Sequence, residues 1–121
     1  MESYLLKIHD TARNRNLAMH RSHALLKKLN TALQELRIDC DISLPVEELN
    51  VKEIGWGLVN SEHWSIYFVT DDFRVDLLES NSRICAEALK NLPDLLKEIS
   101  SSLSKDVRMI NKMINQIENN C

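Results

Sequence analysis

The chain has 121 residues, enough for one hydrophobic core and too few to give two halves a core each. With 44% apolar and 27% charged residues it falls outside the disordered class, and two glycines and two prolines are too few turn-formers for a fold of many short strands. The net charge of −3 is unevenly spread: residues 1–38 carry seven Lys or Arg against three acids, residues 39–81 two against ten, and residues 82–121 six against five.

Charged and polar residues (Lys7, His9, Asp10, Arg13) interrupt the opening of the chain, so neither a leader peptide nor a membrane span is expected. Cys40, Cys85 and Cys121 are odd in number and far apart, which fits neither a disulfide framework nor a zinc-binding spacing. The expected setting is cytoplasmic and reducing.

Taken in chain order, the first element is a long helix over residues 3–38. Leu5, Ile8, Ala12, Arg15, Met19, Ser22, Leu26, Leu29, Leu33 and Leu36 recur in steps of three and four, a heptad stripe with no Gly or Pro to break it. At about 1.5 Å per residue it would be roughly 50 Å long, more than a small monomer can cover, so it calls for a long partner.

Residues 39–53 read as a connector that adds either a short strand at 42–44 or a turn of helix at 45–49. Residues 54–78 read as a three-stranded antiparallel meander. Ile54, Trp56 and Leu58 alternate with Gly55, Gly57 and Val59, a turn follows at 60–63, and Trp64, Ile66 and Phe68 form the second strand. Thr70-Asp71-Asp72 is a second turn, after which Val75 and Leu77 belong to the third strand.

A short helix is expected over 82–91, then a break at Leu92-Pro93, since proline is tolerated at a first helical position but costs about 3 kcal/mol inside a helix. The last helix, 93–118, carries Leu96, Ile99, Leu103, Asp106, Ile110, Met113 and Ile117 at the same spacing, widened by Val107 and Ile114. The whole is a single helix-dominated α+β domain of order α-β-β-β-α-α.

Residue types that carry chemistry are present without the company that chemistry needs. His20 and His23 could share a metal, but no acid or cysteine lies within a turn of them, so no metal or other cofactor is expected. Cys40 has acids on both sides, and neither Cys85 nor Cys121 is placed for activation. No catalytic residue is assigned, and enzyme activity is not expected.

Arg13, Arg15, Arg21, Lys27, Lys28 and Arg37, with the histidines, offer a basic helix to nucleic acid, but the charges read as spread around the helix rather than gathered in one stripe. Arg15, Ser22 and Asp106 place polar groups on the heptad seams, and Arg15 and Asp106 would satisfy each other if the two long helices ran antiparallel.

The reading that follows is a non-enzymatic regulator, adaptor or inhibitor that binds another protein and is itself a coiled-coil-like homodimer. A small accessory protein of a bacterium or mobile element would suit this description. Leu26, Leu29, Leu33, Leu36, Ile110, Met113 and Ile117 would form the dimer or helix-packing interface, and Trp64, Tyr67 and Arg21 are candidate partner contacts. The alternative is a nucleic-acid-associated regulator that uses the basic face of the first helix.

Overall fold

The computed structural model describes residues 2–48, 51–60, 62–70, 73–80, 84–85 and 88–120. Helix α1 spans Glu2–Glu35; strands β1 (Ile42–Glu48), β2 (Val51–Val59), β3 (His63–Thr70) and β4 (Phe73–Asp76) follow. A 3-10 turn (Leu77–Glu79) and the long helix α2 (Leu92–Asn119) complete the order. The strands form one antiparallel sheet in the order β1-β2-β3-β4. No described helix is long and apolar enough to cross a membrane.

The fold is the expected α+β arrangement with one strand more than the meander predicted. Ser43, Leu44 and Pro45 of the supposed connector pair with Gly55, Ile54 and Glu53 of β2. Pro45 has no amide hydrogen to donate, a defect that a strand with only one neighbour can carry. The register then slips between Pro45 and Glu48, the mark of a bulge next to the proline. The strand alternative for this segment is therefore the correct one.

Helix α1 stops three residues before its predicted end. Arg37 has a left-handed backbone with φ 54°, and Arg37 N–H donates to the Gln34 carbonyl at 3.0 Å, closing the last turn. A non-glycine residue in that conformation costs about 1 kcal/mol. The reversal brings Ile38 into the core, where its carbonyl accepts the Trp56 indole N–H at 3.0 Å. Of the short helix expected over 82–91, Ile84, Cys85 and Ala88 are helical, while residues 81–83, 86 and 87 lie outside the described residues. Pro93 occupies the first turn of α2, as predicted.

The core lies between one face of the sheet and one end of each long helix. Ile54, Trp56, Ile66 and Phe68 supply the sheet side; Leu26 and Leu33 of α1 and Leu92, Leu95 and Ile99 of α2 cover it. Asn30, 3% exposed among these apolar residues, accepts the Ile66 N–H at 2.7 Å and the Ser65 hydroxyl at 3.2 Å. β4 pairs with β3 only from Tyr67 onward. Asn30 therefore satisfies the edge of β3 that β4 leaves open.

Candidate interaction surfaces

One apolar stripe runs the length of α2 and changes environment halfway. Leu92, Leu95 and Ile99 are buried against the sheet. From Leu103 onward the same stripe, Val107, Ile110, Met113, Ile114 and Ile117, is exposed, with Ile110 52% and Ile117 63% accessible. The uncovered part is about 21 Å long at 1.5 Å per residue. It opens from a cleft where Leu33 and Leu36 of α1 face Leu96, Ile99 and Leu103 of α2. Beyond that cleft the two helices share no packed layer among the described residues.

Helix α1 is the converse. Residues 2–18 are exposed on every side, and the Leu-rich end is where the chain covers its own sheet. Leu26 and Leu33 are core and cannot meet a second chain while the domain is folded; Leu29 is half-buried and Leu36 is 71% exposed. Ile110, Met113 and Ile117 are open to solvent. Arg15 and Asp106 both lie on exposed stretches and form no ion pair with each other.

The proposed partner contacts separate in the same way. Arg21 is exposed on α1. Trp64 is half-buried, stacked on Trp56 with centroids 6.3 Å apart, and forms one wall of a shallow depression with Arg37, Asp39 and His63. Tyr67 is fully buried and offers no surface, which corrects its placement among the contacts.

The reason lies on the sheet face opposite the helices, where the chain closes over itself. The Tyr67 ring lies against Gly55 of the neighbouring strand, and Arg74 of β4 crosses the ring to reach Asp41 above Gly57. A Cβ on Gly55 would run into the Ile42 carbonyl and the Tyr67 ring, so this glycine is required by close approach. Two glycines two apart on one strand face signal that something comes close, and the occupants are Tyr67, Arg74 and Asp41. Sequence spacing could not have chosen them, because Asp41 and Arg74 are 33 residues apart.

Nearby, His63 Nε2 lies 2.9 Å from Asp76 Oδ2, while Asp76 Oδ1 accepts the Leu78 N–H at 3.0 Å and caps the 3-10 turn. Both carboxylate oxygens thus hold local structure. Cys85 is buried, its thiol 3.4 Å from the Leu77 carbonyl, and Cys40 and Cys85 are both free. His20 and His23 gain no third ligand, and among the described residues no three His, Cys, Asp or Glu gather as a metal would require. A small gap lined in part by Val51, Ile54, Phe68 and Leu77 has a volume of about 10 Å³, room for one water at most. No family model matches the chain, and no curated protein or solved structure matches it.

Proposed function

We propose that this chain is a non-enzymatic cytoplasmic interaction protein, a regulator, adaptor or inhibitor, and that it assembles as a homodimer through α2. The observation that carries the reading is the single stripe on α2, buried as far as Ile99 and bare from Leu103 to Ile117. Isolated helical segments of about 15 residues are marginal in water, and their stability normally comes from packing an amphipathic face. Beyond the cleft at Leu103 and Val107, the stripe of α2 is open to solvent among the described residues.

A second copy suits the stripe by its own chemistry. Read as a heptad, Val107 and Ile114 fall at one seam position and Leu103, Ile110 and Ile117 at the other, an unbroken apolar seam of the kind through which identical helices associate. Polar Asn111, Lys112, Asn115 and Gln116 occupy the remaining surface. The absence of enzyme activity is part of the proposal. It is supported by the use of both Asp76 oxygens in local structure, which leaves His63 paired with a carboxylate already engaged in a cap.

Size-exclusion chromatography with light scattering tests the assembly. The expected mass is twice 14.0 kDa at micromolar concentration; a mass of 14.0 kDa throughout that range would overturn it.

A further inference from the structure

The exposed part of α1 carries a charge pattern that the α2 seam does not use. Between Lys7 and Lys28, 22 residues hold six Lys or Arg, three His and one acid, Asp10, in a chain whose net charge is −3. None of the six makes an ion pair among the described residues; the one contact of this kind is His9 with Asp10 at 3.8 Å, both largely exposed. Six unpaired cations on a helix whose first turns its own chain leaves bare repel one another, and an external polyanion would relieve that repulsion.

Helical geometry arranges five of these six cations in two rows, with Arg15 on the opposite side of the helix, in line with the buried Leu26. Seven residues make nearly two turns, so Arg13, His20 and Lys27 follow one flank, and Lys7, Asn14, Arg21 and Lys28 follow another about 100° away. The row between them is Asp10, Leu17, Ala24 and Thr31, with little charge and no bulky polar group. All seven residues of the two flanks are exposed. His9, Arg13, Asn16 and His20 further share one side of the helix with Leu17.

We infer that residues 7–28 of α1 dock a DNA duplex by lying in its major groove, the two rows of donors meeting the phosphates on either side. An acidic protein surface would be met by one row; a groove has a charged rail on each side, which accounts for two rows with a nearly neutral strip between them. The major groove of B-DNA, about 12 Å wide, admits an α-helix, whereas the deep and narrow major groove of duplex RNA does not. With no base-reading pattern required, recognition is through phosphates, and sequence preference is not part of the inference. The inference is independent of the α2 seam.

The test is fluorescence anisotropy of the full chain with a labelled mixed-sequence 20-base-pair DNA duplex, and with the same sequence as duplex RNA, at 50 and 200 mM salt. Binding to DNA at the lower salt should weaken about 500-fold at the higher, the loss expected for some five phosphate contacts. The pair Arg13→Gln with Arg21→Gln keeps helix propensity and should reduce the slope of log affinity on log salt by about 2. Lys27→Gln with Lys28→Gln should do the same, and circular dichroism of each variant reports whether α1 is intact. Lys52→Glu on β2 should change nothing. No saturable DNA binding at 50 mM salt, equal affinity for the RNA duplex, or a salt slope that both double variants leave intact would each overturn the inference.

Discussion

The Arg74 guanidinium lies 4.3 Å from the centroid of the Tyr67 ring and donates to both oxygens of Asp41, at 2.7 and 3.0 Å. One cation thus stacks on a ring, closes an ion pair and roofs the face of the sheet away from the helices. The side chains of Arg74 and Asp41 remain 37% and 47% exposed, so the pair itself contributes little, about 0.2–1 kcal/mol. The larger consequence is for Tyr67, which is fully covered while its hydroxyl has no partner in bonding geometry among the described residues.

Removing that hydroxyl is therefore expected to be harmless. Tyr67→Phe should leave urea stability unchanged or raise it by up to about 1 kcal/mol, since a buried polar group without a partner is a cost. Burial pushes the Tyr67 phenol above its ordinary 10.0, with Arg74 opposing and Ser43 nearby adding a smaller opposing effect. A folded-state value raised above the unfolded one favours folding fully below pH 10, and the contribution is lost as pH climbs from there through the folded value. Wild type should lose stability across that alkaline window, and Tyr67→Phe should lose less. Equal slopes in the two proteins would show that the phenol titrates alike folded and unfolded.

The two glycines of β2 should respond unequally to a methyl group. At Gly55 the new Cβ meets the Ile42 backbone carbonyl as well as the Tyr67 ring, and backbone in a paired strand has little room to move. At Gly57 it meets Asp41 Oδ2 at 2.6 Å and Arg74 Nη1 at 2.7 Å, the ends of flexible, partly exposed side chains. Gly55→Ala should cost about 3 kcal/mol and Gly57→Ala about 1, the upper and lower parts of the range for overpacking. Denaturant midpoints of the two variants check the ranking; a reversed order would mean that β1 yields more easily than the ion pair.

Asn30 gives a sharper local readout. Asn30→Leu preserves volume but leaves the Ile66 N–H without an acceptor at a covered strand edge, for an expected loss of about 1–3 kcal/mol. Hydrogen exchange at the Ile66 amide should accelerate by more than the global loss of stability explains. If that amide is as protected in the variant as in the wild type, β3 has found another acceptor.

Substitutions along α2 should change character where its stripe leaves the sheet. Ile99→Glu puts a charge into the core and should unfold the domain. Ile110→Glu, in the bare half, should leave the core intact, convert an assembly of twice 14.0 kDa into one of 14.0 kDa, and lower the helical circular dichroism signal as residues 103–119 lose their cover. Light scattering and near-ultraviolet circular dichroism on the same samples separate the two effects.

The sequence by itself determined the long-range plan: a Gly-free and Pro-free 3/4 pattern can only be a long helix, Pro93 marks the start of another, and alternation around Trp56 and Ile66 makes a hairpin. These are local regularities, set by the pitch of the helix and the pleat of the strand. Tertiary structure decided what each regularity is for. Two apolar stripes of the same spacing look alike in one dimension, yet Leu26 and Leu33 are covered by the chain's own sheet while Ile110 and Ile117 are not, because coverage depends on where the sheet ends in space. The same holds for Tyr67, an aromatic of the kind found at interfaces, which is buried by an arginine and an aspartate from opposite edges of the sheet. No spacing rule relates Asp41 to Arg74; the order of the strands and the space above Gly55 and Gly57 bring them together.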